Sequence, residues 1–525
     1  MPASAVSTRF NRQACWLALF GLVACRGETV GILQPGAGGA GGSTSTSDTV
    51  GTSTSGGNAG MPASGGSAGA VTSTDGSQNP GGQAGAPAAG GAAGAGTNGG
   101  ARTIPSSHAS LVLEYGDPLA AAGIRALAVD ADDNVVLTGF FGGDIDFGNG
   151  VRRSEYQGTG SGSLFVLKLS PAGEVLWSNV FPVHTCCEVA DIAVDSAGDI
   201  AIVGAVTGDS DFGDGAQSIV GTYDAYLTKL RGVDGRVLFS RRYGSEGIDF
   251  AYSVTTDAEN NIYTAGEYAG PVSFAEGDSL PDARGLYVAR FDPEGNLNWV
   301  RGYATTMPSR FRELTFTAPE RLIATGDIYS ATLFGQTQLA PQTGVNSSGV
   351  LAEFDRTGSL LSAREVLDGG TLPKLVAAEG SWFIAGSHDV ATSVAGLMVS
   401  PWTTWASPFI AALDSVSLQA RWVQTLERDG EDVTDTWISG LERDSQGLLH
   451  AAIRNSPALT TDLVTLTDAG EVLVTRALGV EALALGVDSH AALWLAGRIR
   501  VPFDFGDGLR DGPIFISKFE PEAFE

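Results

Sequence analysis

Asp191–Phe212, DIAVDSAGDIAIVGAVTGDSDF, holds two short runs rich in β-branched residues, joined by a turn that opens on Asp195. Runs of this length, bounded by Asp and Gly, predict strands. Gly204 follows Asp195 by nine residues, and Phe212 follows Gly204 by eight. The same two intervals separate Asp130, Gly139 and Phe147, then Asp257, Gly266 and Phe274, then Asp488, Gly497 and Phe505. Three fixed positions in four separated places identify an internal repeat.

With the glycine as a ruler, passes fall at Gly139, Gly204, Gly266, Gly326, Gly386, a degenerate Ile453, and Gly497. Phe334 keeps the aromatic place in the fourth pass and Val394 holds it in the fifth. Each full pass offers four strand-like runs; in the second they are Asp191–Val194, Asp199–Val203, Tyr226–Leu230 and Val237–Arg241. No run keeps a helical period over a dozen residues. Four strands per repeat, arranged radially, predict an all-β fold, a single β-propeller of seven four-stranded blades. The last pass stops at Phe519-Glu520-Pro521 without a fourth strand. Ser110–Gly116, SLVLEYG, precedes the first pass and matches the fourth-strand run Leu238–Gly244, LFSRRYG. This N-terminal strand is therefore expected to complete the last blade, closing the ring and removing its open edges.

The order Asp-turn, strand ending in Gly, Asp-Phe-Gly, aromatic-Val-x-Lys-Leu and Gly-x-x-x-Trp resembles the SBBP-type β-propeller repeat of bacteria. Phe165–Leu169, Tyr287–Phe291 and Phe515–Phe519 carry its third-strand part. The likeness covers nearly all of the repeat region. It departs in passes four to six, where Glu353 replaces the strand lysine and Ile453 the glycine. The resemblance implies an extracytoplasmic propeller, often tethered, and no particular reaction.

Ahead of the repeats, Arg9 and Arg12 precede the apolar run Ala14–Ala24, which is too short to span a bilayer. That is the layout of an export signal. Leu22-Val23-Ala24-Cys25 resembles the lipobox of bacterial lipoproteins. The resemblance implies cleavage before Cys25, a lipid on its thiol, and the membrane as partner of the mature N-terminus. Arg26, standing where Asp would favour retention at the inner membrane, points to the outer membrane. From Gly36 onward the chain is Gly, Ser, Ala, Thr and Asn with almost no large apolar residue. Such a segment buries too little to offset its ordering entropy. Three segments are thus expected: a signal at 1–25, a disordered tether at 26–107, and a propeller head at 108–525, in the periplasm or on the cell surface. As a coil, the tether spans on the order of 50 Å.

The formal net charge of -28 excludes nucleic acid as a partner, because phosphate binding needs a basic footprint. Acidity of this degree also keeps an exported protein soluble.

Several residues are candidates for chemistry. Asp144, Asp146 and Asn149, echoed by Asp209, Asp211 and Asp214, are oxygen-rich sets of the kind calcium takes. Asp and Asn also shape hairpin turns, and that reading is the simpler one. Asp130–Asn134 begins like a calcium loop, but Val135 stands where its glycine belongs. The Asp-Phe-Gly tripeptides spell a kinase motif without any other kinase part, so their Phe is expected to pack between blades. Cys186 and Cys187 are adjacent; a vicinal disulfide, two reduced thiols and an intermolecular bond are all open. His184 beside them does not make zinc spacing. Trp177, Trp299 and Trp422 recur at the fourth-strand position and are assigned to packing. Trp402 and Trp405 break the repeat inside an insertion at 397–407, expected to be a rim loop, and are candidate binding residues.

No catalytic constellation emerges. The chain therefore reads as a tethered, monomeric scaffold that binds a protein or glycan and carries no cofactor. The alternative is a propeller-type enzyme, a hydrolase, lyase or quinone-dependent dehydrogenase, acting at the central funnel. Ionisable side chains converging at one mouth of the tunnel would favour the enzyme; apolar and hydroxyl residues there would favour binding.

Overall fold

The computed structural model describes residues 102–103, 109–116 and 122–521, the last stretch with gaps at 155–161, 186–188, 276–277, 318–319, 402–405, 427–434, 457 and 506–507. Among these residues the seven predicted four-stranded blades are all present, each antiparallel. Their first strands are Ala122–Val129, Val189–Val194, Phe250–Thr256, Arg310–Thr317, Thr371–Ala378, Asp435–Arg443 and Glu481–Val487. Each first strand packs against the first strand of the next blade, and the seventh against the first, so these inner strands close a ring around a central channel. The degenerate sixth pass is a complete blade, with Ile453 paired to Ile438. The chain is a seven-bladed β-propeller.

Leu111–Tyr115 supplies the fourth strand of blade 7, pairing antiparallel with Ile514–Phe519 in the register Leu111↔Lys518, Leu113↔Ile516, Tyr115↔Ile514. Closure by the N-terminal strand is thus as expected. Arg102–Thr103, inside the stretch read as tether, adds a short parallel strand to Val474–Thr475 of blade 6.

Among the described residues, a small hairpin lies between the second and third strands of five blades. In blade 1 it is Asp144–Asp146 with Val151–Arg153, and in blade 5 Thr392–Val394 with Leu397–Val399. The insertion at 397–407 therefore begins as a hairpin strand rather than a rim loop. Ala395 and Gly396, both at positive φ, make the tight turn that allows it.

The repeat's phenylalanines pack between blades. Phe147 lies 5.3 Å from Tyr115 of blade 7 and 5.0 Å from Phe165 of its own blade. Phe212 bridges Phe181 and Tyr226 at 5.7 and 4.9 Å, and Phe274 bridges Tyr243 and Tyr287 at 4.6 and 5.3 Å. Such aromatic pairs contribute roughly 0.5–1.5 kcal/mol each beyond the area they bury. The fourth-strand tryptophans also reach the next blade. Trp177, Trp299 and Trp422 donate their indole N–H to the carbonyls of Gly232, Arg356 and Asp468 at 3.0, 2.9 and 2.9 Å.

Opposite the ruler glycine every inner strand departs from regular register. At Gly139 a Cβ would stand 2.1 Å from the Gly123 carbonyl oxygen, so the close approach at the irregularity needs glycine there. Bulges of this kind re-aim the residues beside them, and those residues line the channel described next.

Candidate functional site in the central channel

The repeat's turn aspartates are structural. Asp130 Oδ1 accepts the backbone N–H groups of Asp132 and Asn134 at 2.9 and 2.8 Å, closing the turn. Its Oδ2 lies 2.8 Å from Lys168 Nζ on the third strand. Blades 2 and 7 repeat the pair as Asp195–Lys229 at 2.8 Å and Asp488–Lys518 at 3.1 Å. In blade 6 the lysine place is Thr465, and His450 spans the gap, 3.0 Å from Asp444 Oδ2 and 3.0 Å from Thr465 Oγ1. The line Thr–His–Asp has the order of a catalytic relay, but all three side chains are buried inside the blade. It takes the place of the lysine pair in this blade.

The oxygen-rich sets also have hairpin and turn roles. Asp146 Oδ1 accepts from the amides of Gly148 and Gly150, and Asp211 Oδ1 from those of Gly213 and Gly215. Asp144 pairs with Arg153 across its hairpin, and Asn149 accepts from Ser178 Oγ. Asp209 accepts from the Ile219 amide, and Asp214 from the amide and hydroxyl of Ser240. Each of the six thus ties a hairpin to itself or to its blade. Cys25, Cys186, Cys187, Trp402 and Trp405 lie outside the described residues.

The sequence reading missed a set of charged residues on the inner strands. The residue that follows the register irregularity reads Ala126, Asp191, Ser253, Glu313, Lys374, Gly440 and Ala484 in blade order. Lys374 Nζ lies 2.9 Å from Glu313 Oε2, and these two side chains keep 31% and 19% of their exposure, which the channel provides. Asp191 Oδ2 accepts from Ser253 Oγ and from the Val254 amide at 2.8 and 2.9 Å, and Ser253 Oγ accepts in turn from the Leu314 amide at 3.0 Å. Inner strands 2, 3 and 4 are thereby stitched together. Glu442, two residues beyond Gly440 on the sixth inner strand, shares the electrostatics of this group.

The ring of inner strands encloses these charges around the channel. Burial pushes the Glu313 carboxyl up to about 7; Lys374 opposes that shift and Asp191 adds to it. Burial likewise pushes Glu442 up to about 7, against Lys374 and with Glu313 and Asp191. Asp191 is raised by burial despite Lys374 and its hydrogen bonds. Burial works against the Lys374 ammonium, but Glu313, Asp191 and Glu442 outweigh it and hold the lysine protonated. One ammonium thus sits among three carboxylates, of which two exchange protons near neutrality.

At the mouth where inner strands begin and second strands end, blades 3 and 4 carry a compensated network. Arg310 donates to the Tyr252 hydroxyl at 3.1 Å, which donates to Glu267 Oε1 at 2.7 Å. Arg312 pairs with Asp327, whose Oδ1 accepts from the Leu372 amide at 2.8 Å.

No family model and no curated protein matches the chain. Solved structures are similar to it at low identity. The quinohemoprotein alcohol dehydrogenase of Comamonas testosteroni is 13% identical, with 78% of this chain and 76% of that chain covered and a TM-score of 0.41. A streptogramin B lyase is 9% identical over 78% and 97%, with a TM-score of 0.41. A Lactobacillus plantarum protein is 12% identical over 70% and 98%, also with a TM-score of 0.41. Likeness at this level says nothing about the chemistry of the channel, and the fold rests on the chain's own strand pairing.

Proposed function

We propose that the protein is a membrane-tethered, extracytoplasmic lipoprotein whose propeller head binds a protein or glycan in its central channel. The observation that carries the reading is a contrast within the repeat. The inter-blade position keeps phenylalanine in five of the seven blades, Phe147, Phe212, Phe274, Phe334 and Phe505, all buried. The channel position has diverged into Asp191, Ser253, Glu313 and Lys374. Packing asks for the same residue in each blade, whereas a ligand that meets each blade once asks for different ones. The lipobox-like run ending at Cys25 and the Gly/Ser-rich stretch after it support the location. Binding to arrays of envelope glycans and peptides tests the head: Lys374→Met should abolish any specific signal while leaving the melting temperature within a few degrees. Equal binding by wild type and variant would end the channel reading. Cys25→Ser should release the protein from membranes, and retention there would end the lipoprotein reading.

A second reading, a propeller-type enzyme, is supported by the ionisable group itself. Two carboxyls that titrate near 7 beside a fixed ammonium suit general acid–base work. Turnover of a bound ligand, lost in Glu313→Gln with binding retained, would favour this reading over pure binding.

A further inference from the structure

Across the channel mouth from the compensated network, blades 6, 7 and 1 gather four arginines around one carboxylate. Glu481 opens the inner strand of blade 7 and is almost fully buried. Its Oε1 pairs with Arg454 of blade 6, and its Oε2 accepts from Arg500 Nε at 3.2 Å. Arg125, at the register irregularity of the first inner strand, and Arg498, ending the second strand of blade 7, each hold their guanidinium 5.2 Å from the Phe140 ring. Arg454 lies over Trp437 at 5.5 Å. The cluster is continuous, since Arg454 feels the positive charge of both Arg125 and Arg500.

Two features mark this as a built site rather than a patch of surface charge. Gly123 stands where the sixth and seventh inner strands carry Trp437 and Glu481, and the space is taken by Arg498: a Cβ there would lie 2.3 Å from its Nε. The Nε groups of Arg125 and Arg454 are both shielded from water and find no acceptor among the described residues. Burial and the neighbouring guanidiniums push the Arg454 pKa down despite Glu481. Among the described residues, Arg125, Arg454 and Arg500 come together with Glu481 as the carboxylate that two of them share, in a chain whose net charge is -28.

We propose that the channel mouth at blades 6, 7 and 1 binds an oxyanionic group of the ligand, with Arg125, Arg454 and Arg500 as donors and Glu481 orienting two of them. Planar guanidiniums fixed by a carboxylate and by aromatic rings offer forked donors to carboxylate, sulfate or phosphate oxygens. The inference deepens the binding reading and rests on the channel being the ligand's entry, since it names an anionic ligand class for that entry.

The test uses the full-length protein and simple anions. Phosphate and sulfate, titrated calorimetrically at constant ionic strength in chloride, should bind at one site. Arg500→Gln should weaken that binding at least fivefold and Arg125→Gln/Arg500→Gln should abolish it. Arg454→Lys, which keeps the charge and loses the fork, should weaken it by an intermediate factor. A wild-type measurement guards against variants that fail to fold: phosphate should protect Arg125, Arg454 and Arg500 from phenylglyoxal, read by mass spectrometry, and leave exposed Arg236 reactive. Lack of protection, or phosphate binding unchanged in the double variant, overturns the proposal. Either failure is distinct from failure of the channel reading, which is read from Lys374→Met on glycan or peptide.

Discussion

Lys374 Nζ and Glu313 Oε2 meet at 2.9 Å between the fifth and fourth inner strands, each on the residue that follows its strand's register irregularity. The pair is the centre of the channel's electrostatics, and its consequences are measurable through pH.

Glu313 and Glu442 are both raised to about 7 in the folded protein, well above the ordinary carboxylate value that the unfolded chain restores. Between those values the folded state holds more protons than the unfolded state, so stability falls as pH rises. The contribution is fully present below the unfolded value and lost as pH passes through 7. Glu442→Gln should therefore melt higher than wild type at pH 8 and level with it at pH 5. Parallel melting curves across that range would contradict the assignment.

Lys168→Met removes one partner of a buried ion pair and leaves the Asp130 carboxylate with the turn amides and Asn134. Denaturant unfolding at pH 7 should show a loss of about 3 kcal/mol, at the low end for a broken buried pair because those hydrogen bonds remain. Burial pushes Asp130 up, but Lys168, Asn134 and the turn amide outweigh it and hold the carboxyl below its usual range. Its contribution is thus present above the unfolded value and lost as pH falls through the folded one. The deficit of Lys168→Met should shrink toward pH 3.

Gly358 sits at φ +76 with its missing Cβ 2.7 Å from the Trp299 ring of the preceding blade, whereas Gly344 sits at φ +98 with open space around it. Alanine at Gly344 meets only the left-handed backbone penalty, on the order of 1–2 kcal/mol. Alanine at Gly358 adds overpacking of roughly 1–3 kcal/mol and should shift the tryptophan emission. Equal costs at the two sites would show that the inter-blade contact is loose.

Excising residues 111–115 removes the strand that pairs with Ile514–Phe519 and exposes the hydrophobic face that Leu111, Leu113 and Tyr115 cover. The head should lose cooperative unfolding and aggregate through its open edge. A sharp transition at the wild-type temperature would mean that the ring does not depend on this strand.

Much of the architecture was legible because its signals are local. Asp at the turn, Gly nine residues on and Phe eight further on encode a turn, a close strand approach and an inter-blade wedge, and each recurs at short range. The missing fourth strand of blade 7 was readable by arithmetic. The channel group was not read, although a signal existed: Asp191 and Lys374 place a charge inside otherwise largely apolar strands, and Glu313 stands at the same repeat place. The hairpin at Leu397–Val399 was obscured because Val394 replaces the aromatic that marks its counterparts.

The sequence by itself determined that this chain is a seven-fold repeat of four-stranded sheets closed by its own N-terminal strand. Period-two patterning and turn chemistry act over a few residues and need no knowledge of the whole. Only the tertiary structure decided that Asp191, Glu313, Lys374 and Glu442 share one channel, and that Arg125, Arg454, Arg498 and Arg500 share one mouth. Residues far apart in the chain meet there because ring closure points every inner strand at the same axis. Their protonation follows from their crowding together inside the ring of inner strands, a property of the closed ring that no single blade possesses.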